Sequence, residues 1–203
     1  MSKTQTRIQL KNNAAILAAG LNVFSQFGFR GSTLDQIAKE AGLSKPNLIY
    51  YFASKDAIYR ALLDQLLEDW LEPIYTIDED GDPVAEITAY AKRKLAMSQH
   101  YPRESRLFAN EVIQGAPQIG DTLRGELRRV VGRLVGAIER WIQEGKIRPV
   151  EPHHLIFSIW SITQHYADFD VQVRAILKDT DPFPGAETHL EEMLHRMLSI
   201  DTG

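Results

Sequence analysis

Short clusters of Gly, Pro and Asp cut the chain at Gly28–Gly31, Ala41-Gly42, Asp78–Pro83, Tyr101-Pro102, Gly115–Gly120, Gly145–Pro152 and Asp179–Gly185. What lies between them has helical period, and no segment shows sustained strand-like alternation of apolar and polar residues. Such a chain reads as all-α, with about nine helices: three short ones near the N-terminus, longer ones after. Capping chemistry supports the short ones. Thr33 with Gln36 fits a capping box, Ser44 can cap a helix that tolerates Pro46 in its first turn, and Ser54 opens a long helix to about Ile74.

Residues 12–29 are uncharged behind a basic start, which invites a membrane or signal-peptide reading. The continuous apolar stretch is only Ala14 to Leu21, far short of the roughly 20 residues a bilayer demands. On a helical wheel Ile16, Leu17, Gly20, Leu21, Phe24 and Phe27 share one face, which a signal peptide does not need. The expectation is an amphipathic helix of a cytoplasmic protein, with no membrane partner. The chain has no Cys, so disulfide scaffolds and thiol catalysis are out.

Charge is divided unevenly. Residues 1–60 hold eight Lys/Arg against three Asp/Glu, net +5, while the remainder is net −9, giving −4 overall. A basic module joined to an acidic body follows.

Thr33 to Lys55 is the informative stretch. Helices expected over Leu34–Ala41 and Lys45–Phe52 are joined by a tight turn at Gly42, the spacing of a helix-turn-helix. Leu34, Ile37, Ala38, Ala41, Leu43, Leu48 and Phe52 would form its small core. Lys45, Pro46, Asn47, Ile49, Tyr50 and Tyr51 are then free to point outward. Lys, Tyr hydroxyls and helix N-termini suit phosphates, and Asn47 can read a base edge. A helical hairpin in an ordinary bundle is the plain alternative.

Phe27-Gly28-Phe29-Arg30-Gly31-Ser32-Thr33, Ile37 to Lys45 and Leu48 to Asp56 closely resemble the TetR-family signature. The resemblance implies an all-α homodimer: an N-terminal three-helix helix-turn-helix domain (residues 1–55) and a C-terminal helical effector-binding and dimerisation domain (residues 56–203). It places Thr33, Lys45, Pro46, Asn47, Tyr50, Tyr51 and Lys55 against a near-palindromic double-stranded DNA operator. Tyr51 stands where many members have His, and Ile49 where many have Tyr, so the operator sequence does not carry over.

The similarity continues through Ser105-Arg106-Leu107-Phe108, Gly115-Ala116-Pro117 and His154 to Phe169, where it resembles a pyrimidine-responsive branch of the family. That implies uracil or thymine as the small-molecule effector, lowering operator affinity of a repressor. A family member answering to an unrelated apolar effector is the alternative.

Read without the family, a helix expected over His154 to about Val173 puts Phe157, Trp160, Gln164, Ala167 and Val171 on one face. Leu155, Ile159, Ile162, Tyr166 and Val173 lie on another. Such a helix asks for two covers: its own domain and a partner subunit, or, as the alternative, the centre of a monomeric core. Trp160 beside Gln164 suits a flat ring, one to stack and one to offer donor and acceptor. A satisfied core Gln is the alternative. Glu111 lies with Phe108 on one helix side with no basic residue one turn away. If buried, its charge must be met by another segment or a ligand N–H; a solvated Glu is equally compatible. Trp70, near the pocket end of the long helix, and Asp168, one turn beyond Gln164, complete the expected effector set.

A small helical enzyme using Glu111 and His165 is a reading of another class, and an all-α adaptor without DNA binding is a third. No nucleophile elbow, phosphate loop or dinucleotide fingerprint supports an enzyme. His154 and His165 fall three turns apart, too far for one metal ion, so neither metal nor cofactor is expected.

Overall fold

The computed structural model describes residues 7–200; Lys3, counted in the basic module, lies outside them. Among the described residues there is no strand. Counting Gly120 to Gln143 as one helix, there are ten helices. They are α1 (Arg7–Gly31), α2 (Leu34–Glu40), α3 (Lys45–Tyr51), α4 (Lys55–Tyr75), α5 (Pro83–His100), α6 (Pro102–Ile113), α7 (Gly120–Thr122), α8 (Arg128–Gln143), α9 (Pro152–Asp168), α10 (Asp170–Leu177) and α11 (Phe183–Leu198). A π turn, Leu123–Leu127, carries α7 into α8. No described helix is long and apolar enough to cross a membrane.

The chain forms two compact units. The first holds residues 7–67 and 106–120, the second 68–105 and 121–200. The first unit thus takes in the early turns of α4 and most of α6.

In the first unit α1 is longer than a short N-terminal helix, but it kinks at Gly28, where φ is +66°. Side chains rarely adopt that conformation, and Gly does so without penalty. The kink has a consequence for the core. Phe27, expected inside, is half exposed. Phe29 instead turns in past the bend and packs against Phe24 and Tyr59, with ring centroids 6.0 and 4.7 Å away. Ser32 ties the corner by donating to the Gly28 carbonyl at 2.6 Å. The α2 start has both halves of the capping box: the Gln36 N–H reaches Thr33 Oγ1 and Thr33 N–H reaches Gln36 Oε1. Gly42, at φ +67°, makes the turn into α3, which Ser44 caps. Ile37, Ala38 and Leu48 are buried; Leu34, Ala41, Leu43 and Phe52 only half so.

In the second unit α5 packs on α9 and α11, and α8 and α10 pack on α9. Trp141 of α8 is fully buried, and its indole N–H donates to the Glu79 carbonyl at 2.9 Å. The Glu79 carboxylate accepts from Arg133 at 2.9 Å and Arg140 at 2.8 Å, which holds it below its ordinary pKa. Together these pin the loop before α5 to α8. The helix expected from His154 to Val173 is in fact two. Phe169, at φ −116° and ψ 29°, leaves helical geometry and its N–H closes α9 on the His165 carbonyl. No Gly or Pro marks this break. The buried stripe of α9 is a single one, Leu155, Ile156, Ile159, Thr163 and Ala167, and Val171, expected on an inner face, is 84% exposed on α10.

Candidate nucleic-acid interface and effector site

Leu48 is the one buried residue of α3 and is wholly inaccessible. It anchors the helix, so the remaining side chains project away from the core. Lys45, Pro46, Asn47, Ile49 and Tyr50 are exposed, Tyr50 to 72%. An aromatic ring so exposed buries little apolar area against its own fold, and its hydroxyl is left for another acceptor. Thr33, at the α2 N-terminus, is exposed as well. Lys45 pairs with Asp35 at 2.8 Å, but both are largely solvated, so the pair is weak and a phosphate can compete for the ammonium. Tyr51 is half-buried, accepts from Asn12 Nδ2 of α1 at 2.8 Å, and keeps its own O–H to donate.

Lys55 is placed differently from a free surface cation. Its ammonium donates to the carbonyls of Phe29 at 2.6 Å and Ser32 at 2.8 Å, and it sits 4.5 Å from the centroid of the Phe29 ring. Two of three donors therefore serve the α1–α2 corner, leaving one for a phosphate.

The residues expected around an effector divide between the units. Phe108 and Glu111 belong to the first; Trp70, Phe157, Trp160, Gln164 and Asp168 belong to the second. Glu111 is 4% exposed, and its charge is met within the chain. The Gln118 N–H donates to Oε1 at 2.7 Å, and the buried Tyr59 hydroxyl bonds to the same carboxylate. Burial first, and that anionic neighbour second, push the Tyr59 hydroxyl up. Phe108 is half-buried on the same helix.

In the second unit, Trp160 and Gln164 sit one turn apart on a half-buried flank of α9. The Trp160 indole N–H donates to the Tyr90 hydroxyl of α5 at 2.7 Å. Burial pushes that hydroxyl up to about 12. Among the described residues the Gln164 carboxamide has no hydrogen-bond partner, so it is free to meet a ligand's donor and acceptor. Asp168 accepts from Ser105 Oγ at 2.7 Å. Phe157 is 46% exposed with its ring centroid 5.8 Å from Trp160. Trp70 is buried, and Lys94 lies over its ring with Nζ 5.1 Å from the centroid.

Lys94 is a residue that periodicity offered but the reading above did not take. It lies on the α5 stripe of Ile87, Tyr90, Ala91, Leu95 and Ser98, a cation in the middle of a buried face. A cavity of about 280 Å³ opens on the opposite side of α5, where Lys92 pairs with Glu187 and Glu191. The Lys92 charge there is already matched, while Arg93, which also lines the cavity, reaches only the Pro73 carbonyl at 3.3 Å.

Comparison with known proteins bears on both regions. Residues 16–62 match the family "Bacterial regulatory proteins, tetR family", and residues 63–200 match "YcdC-like protein, C-terminal region". The HTH-type transcriptional regulator RutR of Escherichia coli strain K12 is 50% identical over 162 residues, 80% of this chain and 76% of that protein. Among solved structures, AibR in complex with isovaleryl coenzyme A and operator DNA aligns with TM-score 0.70 at 18% identity, over 92% of this chain and 97% of that one. Salmonella enterica GusR aligns with TM-score 0.67 at 18% identity, over 97% and 98%. These two show the fold. The enzyme alternative falls here, because the relatives are transcriptional regulators. The chain belongs to the TetR family of DNA-binding transcriptional regulators.

Proposed function

We propose that the protein is a homodimeric repressor that holds a near-palindromic operator and releases it on binding uracil or thymine. The observation that carries the DNA half is the exposed face of α3, polar and aromatic around the single buried Leu48. Asn47 reads a base edge; Thr33, Lys45, Tyr50 and Tyr51 contact phosphates, and Lys55 adds its third N–H. Two such helices must enter successive major grooves about 34–36 Å apart, which needs two copies. Phe169, Val171 and Ile176 are largely exposed apolar surface that a second copy would cover.

The effector half rests on Trp160 and Gln164, with the similarity to RutR as context. Uracil is small and rich in polar edge, so hydrogen bonds must supply its selectivity, and an unpartnered carboxamide beside an indole supplies them. Trp70, Phe157 and Asp168 line the same unit; Phe108 and Glu111 act in the other, with Glu111 committed to Gln118 and Tyr59. An effector that favours a differently spaced pair of recognition helices lowers operator affinity by linkage. α4 runs from the DNA module into the second unit and is the lever.

One gel-shift series tests the reading: operator with wild type, with and without uracil or thymine, beside light scattering. Ligand-dependent release by a dimer supports it. A 23.0 kDa particle in solution removes the palindromic operator, and calorimetry without heat from either pyrimidine leaves only the family-level function.

A further inference from the structure

We infer that Lys94 is the polar anchor of the effector site, and that the effector presents to it an oxygen of anionic or enolate-like character. This deepens the pyrimidine reading, on which it rests for the ligand's flat ring but not for its charge.

Each other polar member of the buried α5 stripe has a partner. The Tyr90 hydroxyl accepts from Trp160, and Ser98 donates to the Lys94 carbonyl at 3.3 Å. Lys94 is 7% exposed, yet among the described residues its ammonium makes no hydrogen bond and no ion pair. The Trp70 face offsets part of the cost of desolvating a cation, but satisfies none of its three N–H donors. Asp69, beside Trp70 in sequence, does not pair with it. Arg93, the next residue, reaches the Pro73 carbonyl at 3.3 Å, and its Nε is buried without an acceptor. Arg93 lines the cavity on the other side of α5, so Lys94 is the cation of the buried stripe, and none of the described residues supplies it an anion.

A buried cation without a partner is costly and rare. Burial lowers the Lys94 ammonium to about 8, so at neutral pH the group is still mostly charged. Among the described residues nothing answers it, which leaves its N–H donors to solvent or to a ligand. A flat ring stacked near Trp160 and Trp70 with an oxygen turned to Lys94 would answer it. Uracil-type imides fit, because their carbonyl oxygens carry partial negative charge, and loss of the acidic N–H between two carbonyls would delocalise a full one onto them. A ring carboxylate such as orotate presents the same chemistry as a formal anion. Charge-assisted hydrogen bonds to either are roughly twice as strong as neutral ones.

The test pairs titration calorimetry with thermal melting on the full-length wild type, Lys94→Met and Lys94→Gln, using uracil, thymine and orotate. A structural lysine and an anchoring one differ in sign. If Lys94 anchors a ligand, both variants melt at or above the wild type while their affinity falls by roughly ten-fold or more. Uracil affinity unchanged in a folded variant overturns the anchor and leaves the pyrimidine reading standing. Orotate binding alone, lost in the variants, upholds the anchor and sinks the neutral-pyrimidine reading. Lower melting in both variants assigns Lys94 to the fold and overturns the proposal. So does a wild type that binds none of the three.

Discussion

The two units handle polar groups in opposite ways. Around α2 and α3, most of the working side chains are in water, and the helix starts are held by local hydrogen bonds: Thr33 to Gln36, Ser44 to Asn47, Ser54 to Ala57, each three residues apart. Lys55 and Tyr51 add the longer-range ties to α1. In the second unit the bonds that matter join distant segments. Trp160 and Tyr90 are 70 residues apart, Ser105 and Asp168 63, Trp141 and Glu79 62. Phosphates and base edges are met at a surface, so a DNA-reading helix leaves its donors exposed. A small ligand must be enclosed, so its recognition groups are taken out of water and left incompletely paired. The contrast teaches where to look for each function: exposure marks one, unmet burial the other.

The largest effect should come from the least satisfied group. Lys94→Met removes a desolvated charge and should stabilise the ligand-free protein by on the order of 3 kcal/mol at pH 7. The sign follows from the lowered pKa, about 8 against an ordinary 10.5. Below pH 8 both folded and unfolded chains hold the proton, and the folded state bears the full penalty. Between pH 8 and 10.5 the unfolded chain binds more protons, so wild-type stability gains on the variant and the gap closes. Tyr90, held up to about 12 by burial, favours folding until the unfolded tyrosine ionises near 10, so urea melts at pH 7 to 10 isolate the lysine. A gap that is constant over that range would show that Lys94 has found a partner in solution.

Next comes Lys55→Ala, which bears on whether exposure alone defines the DNA face. It breaks two hydrogen bonds to the α1–α2 corner, and should cost about 2 kcal/mol of stability. Specific and non-specific DNA binding should weaken together, with a shallower salt dependence from the lost phosphate contact on each half-site. A stable variant whose defect is confined to one base pair would place Lys55 in sequence reading instead.

Gln164→Leu tests the other side of the comparison. Its loss leaves the ligand's polar edge unpaired, so the uracil concentration needed for release should rise roughly 10- to 100-fold. Release at wild-type concentrations would move the pocket away from α9.

The smallest effect is expected at Thr33→Ala. It removes one side of a local capping box, for about 1 kcal/mol of stability. Because Thr33 is also exposed, the proposed DNA face requires operator affinity to fall modestly. Thermal melting identical to wild type would mean that the α2 start is held by packing and not by its cap.

Much of the first unit was legible because its determinants lie within a few residues of each other. The capping residues, the turn at Gly42 and the single inward residue of α3 all follow from local stereochemistry and helical period. The exchange of Phe27 for Phe29 in the core was not, because the direction of the chain after Gly28 depends on what Tyr59 and Phe24 offer it. Also in the first unit, Glu111 could be recognised as a carboxylate in need of a partner. That the partners are the Gln118 N–H and the Tyr59 hydroxyl is decided by the turn after α6 and by α4. The break at Phe169 has no Gly or Pro to announce it.

From its order of residues alone this chain determines an all-α architecture, a basic N-terminal module and the outward face of α3, since period, charge and caps act over one or two helical turns. Only tertiary structure decides that Trp160 gives its N–H to Tyr90, that Lys55 braces the α1–α2 corner, and that Lys94 is buried against Trp70 with no acceptor among the described residues. The physical reason is that desolvation and pairing depend on which helices meet. Helical period says which residues share a face, but not what that face will be packed against.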